Sequence, residues 1–508
     1  MGDDRHVWWI AALGAGACAG LALPPLGWPW LLWPCLAVLW AVAASAPAPA
    51  LPALLWGLSL VLVSHRWLLW LHPLDWVGVP APLSLPICVL VWLACGLAGG
   101  LAVLLWVKLV RRLDPLRPAS ALQAALLWGL AEVLLSQGPL FWLGLGASAL
   151  PGDRALAGLG ALGGAGLIAT VQLGIGWLLW RALGSRLQSR RWWLLLVLAL
   201  LGVHGLGQLS LAAIPAAGGS QERLVVLQPS IPTRHKFEVG SQRALLGQLL
   251  DGQRRAAQMV PPVGSLLLPE GALPLGQALP ELPEVEVLSG GFRQPQEGVR
   301  SSLLRFSPSQ RDPVAWIDKH RLVPLGEWVP FARFLSWSGF SALGGLEPGA
   351  ASRLLPRPAG AIGVAICYEL ADGHALAVAS HEGARWLLAS ANLDPYPRLL
   401  QGQFMALARL RAIETGRWLV SAANTGPSLL VDARGRLVSL LPSGRPAQGL
   451  MVLEQRTGLT PYVRWKEWPL LMLLLGLAWH SHVQRDPYGH RDPHARPPAP
   501  AQSQEGEG

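Results

Sequence analysis

A helix that crosses a bilayer needs about 20 consecutive apolar residues, because nothing inside the bilayer can hydrogen-bond an irregular backbone. This chain supplies such runs almost without a break from residue 7 to about 213, and once more from about 465 to 481. Between them, residues 220–460 carry ordinary charge density and short alternating patterns. The contrast predicts a seven-helix membrane domain over 1–215, an α/β domain over 220–458, an eighth transmembrane helix at 465–482 and a disordered cytoplasmic tail at 485–508, rich in Pro, Gln and charge. Only 14% of the residues are charged, against about 25% in soluble domains, and the shortfall lies in the apolar part.

The candidate spans are 7–23, 28–46, 51–71, 84–107, 119–137, 156–181, 192–213 and 465–482. Residues Met1 to His6 are too short for a leader's charged region and no small-residue cleavage site follows, so the first segment reads as an uncleaved span. The net charge of +10 would suit a nucleic-acid binder if it were gathered on one soluble surface. Instead Lys108, Arg111, Arg112 and Arg117 form one cluster and Arg181, Arg186, Arg190 and Arg191 another, both in short loops between spans. Such loops mark the cytoplasmic side. They place the α/β domain on the opposite, non-cytoplasmic side of the membrane, and no nucleic-acid partner is expected.

Three features inside the spans stand apart. Glu132 and the pair His65-Arg66 are ionisable groups at membrane depth, open to either a buried polar role or a position near the interface. The glycine-rich run 158–166 follows no strand, so close helix packing explains it better than a phosphate loop. In the tail, His490 and His494 lack fixed metal-ligand spacing.

In the α/β part, strand-length runs appear at 224–227, 265–268, 285–288, 314–317, 361–366, 386–389, 418–421 and 428–431, with helices over 241–259, 371–382 and 400–415. Three runs end in reactive groups. A buried-type strand ends in Pro269-Glu270, a polar segment opens with Asp318-Lys319, and an apolar strand ends in Cys367-Tyr368-Glu369. Cys367 is the one cysteine of five outside the apolar segments, so it has no disulfide partner in its own domain. A thiol, a carboxylate and an ammonium are what thiol-based acyl transfer requires: a nucleophile, a base for its proton and a cation for the oxyanion. A nearby lysine is also expected to lower the thiol's pKa. Singly, each residue also suits a duller role, as a turn carboxylate, an exposed lysine or a small buried side chain.

The order Glu270, Lys319, Cys367 resembles the Glu-Lys-Cys triad of the nitrilase or carbon–nitrogen hydrolase superfamily. The flanks, Lys319-His320-Arg321-Leu322-Val323-Pro324-Leu325-Gly326-Glu327-Trp328-Val329-Pro330, Gln228-Pro229-Ser230-Ile231-Pro232 and Gly458-Leu459-Thr460-Pro461-Tyr462, are similar to the apolipoprotein N-acyltransferase family. That resemblance implies an α-β-β-α nitrilase-like sandwich between the seventh and eighth of eight spans. It implies that Glu270 is general base, Lys319 oxyanion stabiliser and Cys367 nucleophile, with Glu327, Tyr368 and Glu369 supporting them. It implies transfer of an acyl chain from a membrane phospholipid, through a thioester on Cys367, to the α-amine of a diacylglyceryl apolipoprotein, with no metal or cofactor. The apolar stretch Trp328, Phe331, Phe334, Leu335, Trp337 and Phe340 reads as a membrane-facing lid.

Two departures touch lipid positioning: Phe237 stands where the family has Trp, and Asn392-Leu393-Asp394-Pro395-Tyr396 replaces its Asn-Asp-x-Trp-Phe run. Two other readings remain: a membrane-tethered amidase or nitrilase that hydrolyses a C–N bond, and a non-catalytic binding protein with an inert hydrolase domain.

Overall fold

The computed structural model describes residues 5–485 apart from 76–78, 185–188, 215–218, 237, 277, 297, 325 and 328–344. The apolar half forms helices α1 (Arg5–Ala22), α2 (Pro29–Ser45), α3 (Ala50–Ser64), α4 (Ala81–Leu113), α5 (Pro118–Ser136), the short α6 (Arg154–Ala157), α7 (Gly160–Gly184) and α8 (Ser189–Ala213). The helices pack through small residues: a Cβ on Gly57 of α3 would stand 2.6 Å from the carbonyl oxygen of Gly99 in α4, so the two backbones touch.

The expected third span, 51–71, is not one helix. It stops at Ser64 and continues as a 3₁₀ turn over Arg66–Leu71. Polar side chains satisfy the backbone there. Ser64 Oγ donates to the Leu60 carbonyl at 2.9 Å, and Arg66 donates to the Val63 carbonyl at 2.7 Å. His65 Nδ1 lies 2.9 Å from Ser64 Oγ and its Nε2 lies 3.3 Å from the Phe141 carbonyl oxygen, tying the helix end to the loop after α5. Glu132 is buried, accepting from Trp128 Nε1 and from the Leu145 backbone N–H, each at 2.8 Å, so it anchors the 3₁₀ turn Leu145–Ala149.

The middle of the chain runs β1 (Gln221–Gln228), α9 (Val239–Ala257), β2 (Ser265–Leu268), β3 (Glu286–Arg293), β4 (Arg300–Phe306), β5 (Ala315–Asp318), β6 (Leu354–Leu355), β7 (Ile362–Ile366), α10 (Gly373–His381), β8 (Leu387–Ala391), α11 (Arg398–Thr415), β9 (Leu419–Ala423), β10 (Leu429–Val431), β11 (Leu437–Leu440) and β12 (Ala447–Glu454). It closes with the short α12 (Pro461–Trp465) and α13 (Trp468–Arg485). Among the described residues α4, α5, α7 and α8 are long and apolar enough to cross a membrane, and α2, α3 and α13 are shorter apolar helices. The glycine run is a packing device: Gly164 in α7 has φ +66° and a Cβ there would meet the Tyr462 ring of α12 at 2.6 Å.

The strands form two six-stranded sheets, ordered β12-β1-β2-β3-β4-β5 and β11-β10-β9-β8-β7-β6. Because side chains alternate along a strand, each sheet has two apolar faces. Leu224, Val226, Leu267 and Leu288 of the first sheet meet Val364, Ile366, Leu388 and Val420 of the second. The first sheet's other face, with Val225, Leu266 and Val287, takes Leu245 and Leu249 of α9. The second sheet's other face, with Ala365, Leu387 and Ala389, packs on α10 and α11, and these share a core with the membrane helices. This is the α-β-β-α sandwich, laid with its α10/α11 layer against the helical domain.

Strands β4, β6, β11 and β12 lie outside the runs expected from the sequence. Strand β4 carries Arg300 and Arg305, which spoil an apolar pattern yet are paired: Arg305 Nε donates to Glu286 at 2.7 Å, and Arg300 faces Asp318 at 3.4 Å.

Candidate active site

Each reactive group of the three runs follows the carboxyl end of a strand. Glu270 follows β2, Lys319 follows β5 and Cys367 follows β7. The sheets face each other, so these ends converge. Lys319 Nζ donates to Glu270 Oε1 at 2.8 Å and to Glu327 Oε1 at 2.7 Å, and the lysine is only 1% exposed. Glu270 Oε2 accepts the Asn392 backbone N–H, which follows β8, at 3.1 Å. Gly290 of β3 lets Glu270 approach: a Cβ there would stand 2.4 Å from the Glu270 Cα.

Cys367 begins a 3₁₀ turn (Cys367–Ala371) and holds φ +55°, a left-handed conformation that is costly outside glycine and that clusters at functional sites. Its sulfur lies within electrostatic reach of Glu270, Lys319 and Glu327.

Glu369 is the clamp that aligns two of these elements. Its Oε1 accepts the backbone N–H groups of His320 (2.7 Å) and Arg321 (3.1 Å), just after Lys319, while its Oε2 accepts that of Ile366 at 2.8 Å, just before Cys367. Arg353 completes the link, donating to Glu369 Oε2 at 2.9 Å and to the Asp318 carbonyl at 2.8 Å. Breaking such a buried pair typically costs about 3–5 kcal/mol. Glu327 also accepts the Val323 N–H at 2.9 Å. The Tyr368 hydroxyl faces the carbonyls of Leu322 and Pro139, joining the site to the loop after α5.

Burial alone would strip Lys319 of its proton, but the charges of Glu270 and Glu327 more than reverse this and hold the ammonium well above its ordinary range. Burial raises Glu327, with Lys319 opposing. The expected downward pull of Lys319 on the thiol is present but is not the largest influence. Burial, and then the Glu270 carboxylate, outweigh Lys319 and push the Cys367 thiol far above its ordinary range. The upward shift favours the neutral thiol at rest.

Two neighbours carry no signal in the sequence. Lys236 is buried and donates to the Glu270 carbonyl oxygen at 3.0 Å; burial lowers its pKa to about 8, against the pull of Glu270 and Asp394. Asn392 contributes through its backbone, a donor that every residue type shares. Its side chain is held by Thr233 Oγ1 and Asn424, each at 2.7 Å, so the departing segment at 392–396 is fixed beside Glu270. Tyr396 meets Trp67 edge-on at 5.5 Å, Trp67 meets Phe141 at 5.9 Å, and Phe141 stacks on Phe404 at 5.7 Å. An aromatic wall thus runs from Tyr396 to the 3₁₀ turn that follows α3. Phe237 and the proposed lid residues Trp328, Phe331, Phe334, Leu335, Trp337 and Phe340 lie outside the described residues, as does the tail beyond 485.

Residues 301–452 match the carbon-nitrogen hydrolase family, and residues 15–176 match the apolipoprotein N-acyltransferase N-terminal domain. The chain is 47% identical to the apolipoprotein N-acyltransferase of Prochlorococcus marinus over 94% of its own length and 96% of that protein's. It is also 47% identical to the one of Parasynechococcus marenigrum, over 91% of this chain and 98% of the relative. The like-named protein of a Nostoc species is 30% identical over 91% and 97%.

Proposed function

We infer, from the premise that this chain belongs to the apolipoprotein N-acyltransferase family, that it moves an acyl chain from a membrane phospholipid to the α-amine of a diacylglyceryl lipoprotein by way of Cys367. The observation that carries this reading is the buried Lys319 ammonium held between Glu270 and Glu327 beside the thiol, at the foot of an aromatic wall shared with the membrane helices.

In the first half-reaction Cys367 Sγ attacks the ester carbonyl while Glu270 takes its proton. The oxyanion forms against Lys319 Nζ, whose charge needs no reorganisation because two carboxylates already fix it. Collapse expels the lysophospholipid alkoxide, which recovers the proton from Glu270 and leaves a thioester. In the second half the neutral α-amine adds to that thioester, Glu270 takes the proton from nitrogen, and the departing thiolate regains it. One ester and one amine become one alcohol and one amide, and the enzyme is unchanged. Glu327, Tyr368 and Glu369 act as positioning residues. Both substrates are lipids, which explains a hydrolase-type domain lying on a helical membrane base, on the periplasmic side in this reading.

The test uses full-length protein in phospholipid nanodiscs with a diacylated N-terminal lipopeptide. N-acylated peptide and lysophospholipid appear in equal amounts, and Cys367→Ala gives neither. Free fatty acid beside unmodified lipopeptide would make the site a hydrolase instead.

A further inference from the structure

At the end of the second sheet remote from the triad, a crevice of about 910 Å³ opens between the α/β domain, the start of α7 and the end of α8. Arg385 lines it and precedes β8, whereas Cys367 lies beside the far end of that strand, where Ile366 pairs with Ser390. About 20 Å of strand separates them, at roughly 3.3 Å per residue. No residue of the triad's surroundings borders the crevice.

Among the described residues, its lining carries Arg385, Arg456 and Arg464 and neither Asp nor Glu. Glu454 pairs with Arg456 at 3.2 Å, which leaves a positive balance. Behind the lining, Arg417 donates to the Gly458 carbonyl. Burial, and after it the charge of Arg456, hold its pKa below the ordinary guanidinium range. The lining also includes the apolar side chains of Leu162, Ile214 and Trp465.

The depth of the crevice follows from the chain path. Helix α8 ends at Ala213 where the chain leaves the membrane helices, and α13 starts at Trp468 where it returns. The crevice lies between these two points. Trp465 and Trp468 are 62% and 59% exposed, the pattern of tryptophans seated at a membrane interface. Arginines recognise phosphate in paired hydrogen bonds, and the volume falls within the range of small-ligand pockets, about 300–1,000 Å³.

We propose that this crevice binds one anionic phospholipid, phosphate on the arginines and an acyl chain along Leu162, Ile214 and Trp465, at a site separate from the acyl donor's. The bound lipid would fasten α8 and α13 to the α/β domain and stabilise the folded chain by mass action. The proposal does not depend on what Cys367 does.

Native mass spectrometry of the full-length protein in detergent tests it, with phosphatidylglycerol and phosphatidylcholine of identical chains as probes. The expected result is a one-to-one phosphatidylglycerol adduct at concentrations where phosphatidylcholine leaves none. The double variant Arg385→Glu, Arg464→Glu reduces that adduct about tenfold. Both arginines are exposed, and Arg385 gives up one hydrogen bond, to Gln455 Oε1 at 3.1 Å; whatever its melting temperature in lipid-free detergent, the variant loses the upward shift that phosphatidylglycerol gives the wild type. Arg464→Gln alone gives a smaller loss in the same direction. Equal retention of the two lipids, or an unchanged adduct in the variants, overturns the proposal. Displacement by millimolar inorganic phosphate also overturns it, because the site would then serve a free anion.

Discussion

Removing the Lys319 ammonium leaves the carboxylates of Glu270 and Glu327 facing each other in a buried site. The two like charges then disfavour each other, and the proposed base loses the cation that holds it in place. Lys319→Met is expected to slow acylation of the enzyme by more than about 100-fold and to destabilise the fold by about 3–5 kcal/mol, read by single-turnover kinetics and thermal unfolding. The neutral thiol gives a second outcome at this scale. Burial and Glu270 raise Cys367 above its ordinary value of 9.0, so its alkylation by iodoacetamide is expected to keep rising through pH 9. A plateau below pH 7 would indicate a resting thiolate. Cys367 and Lys319 were legible in the sequence because one is a lone thiol outside the apolar runs and the other sits in a distinctive flank. Arg353 was not: its partners, Glu369 and the Asp318 carbonyl, come from separate loops, and no periodicity reports such a contact.

At the scale of elements, the site is a meeting of strand ends, and its precision depends on how closely neighbouring backbones approach. Gly290→Ala puts a Cβ 2.4 Å from the Glu270 Cα and 2.5 Å from the Pro269 carbonyl oxygen, so backbone must shift. Because a displacement of about 1 Å can cost about 100-fold in rate, this variant is expected to lose acyl transfer to that extent while its far-UV circular dichroism stays that of the wild type. Most helices and central strands were legible from apolar runs and alternation. Strand β4 was obscured because its arginines are satisfied by acidic partners on neighbouring strands. The break after α3 was obscured because Ser64, His65 and Arg66 interrupt an apolar run too briefly to show that they cap a helix.

Across the whole molecule, the sandwich and the membrane helices share one core, and a buried carboxylate sits in their contact. Glu414 of α11 accepts the Ala165 backbone N–H of α7 at 2.8 Å. Burial raises its pKa from an ordinary 4.5 to about 7, with Arg411 opposing and Glu467 and Asp372 adding to the rise. The folded protein keeps this proton at pH values where the unfolded chain has lost it. The contribution to stability is therefore full below pH 4.5 and fades as pH rises through 7. Glu414→Gln, neutral throughout, is expected to flatten the change in melting temperature over that window; a curve parallel to the wild type would contradict the assignment. The division into membrane and α/β halves was legible from apolar run length, whereas their docking was not, because the contact joins residues such as Ala165 and Glu414 that lie far apart in the chain.

That Cys367 carries the acyl chain is tested most directly by weighing its peptide. Purified full-length protein is incubated with phospholipid alone, digested and examined by mass spectrometry. The expected result is a gain of one fatty acyl chain on the Cys367 peptide, removable by neutral hydroxylamine and absent from Cys367→Ala. An unmodified Cys367 peptide, from protein that still transfers acyl chains to lipopeptide, would contradict the thioester route.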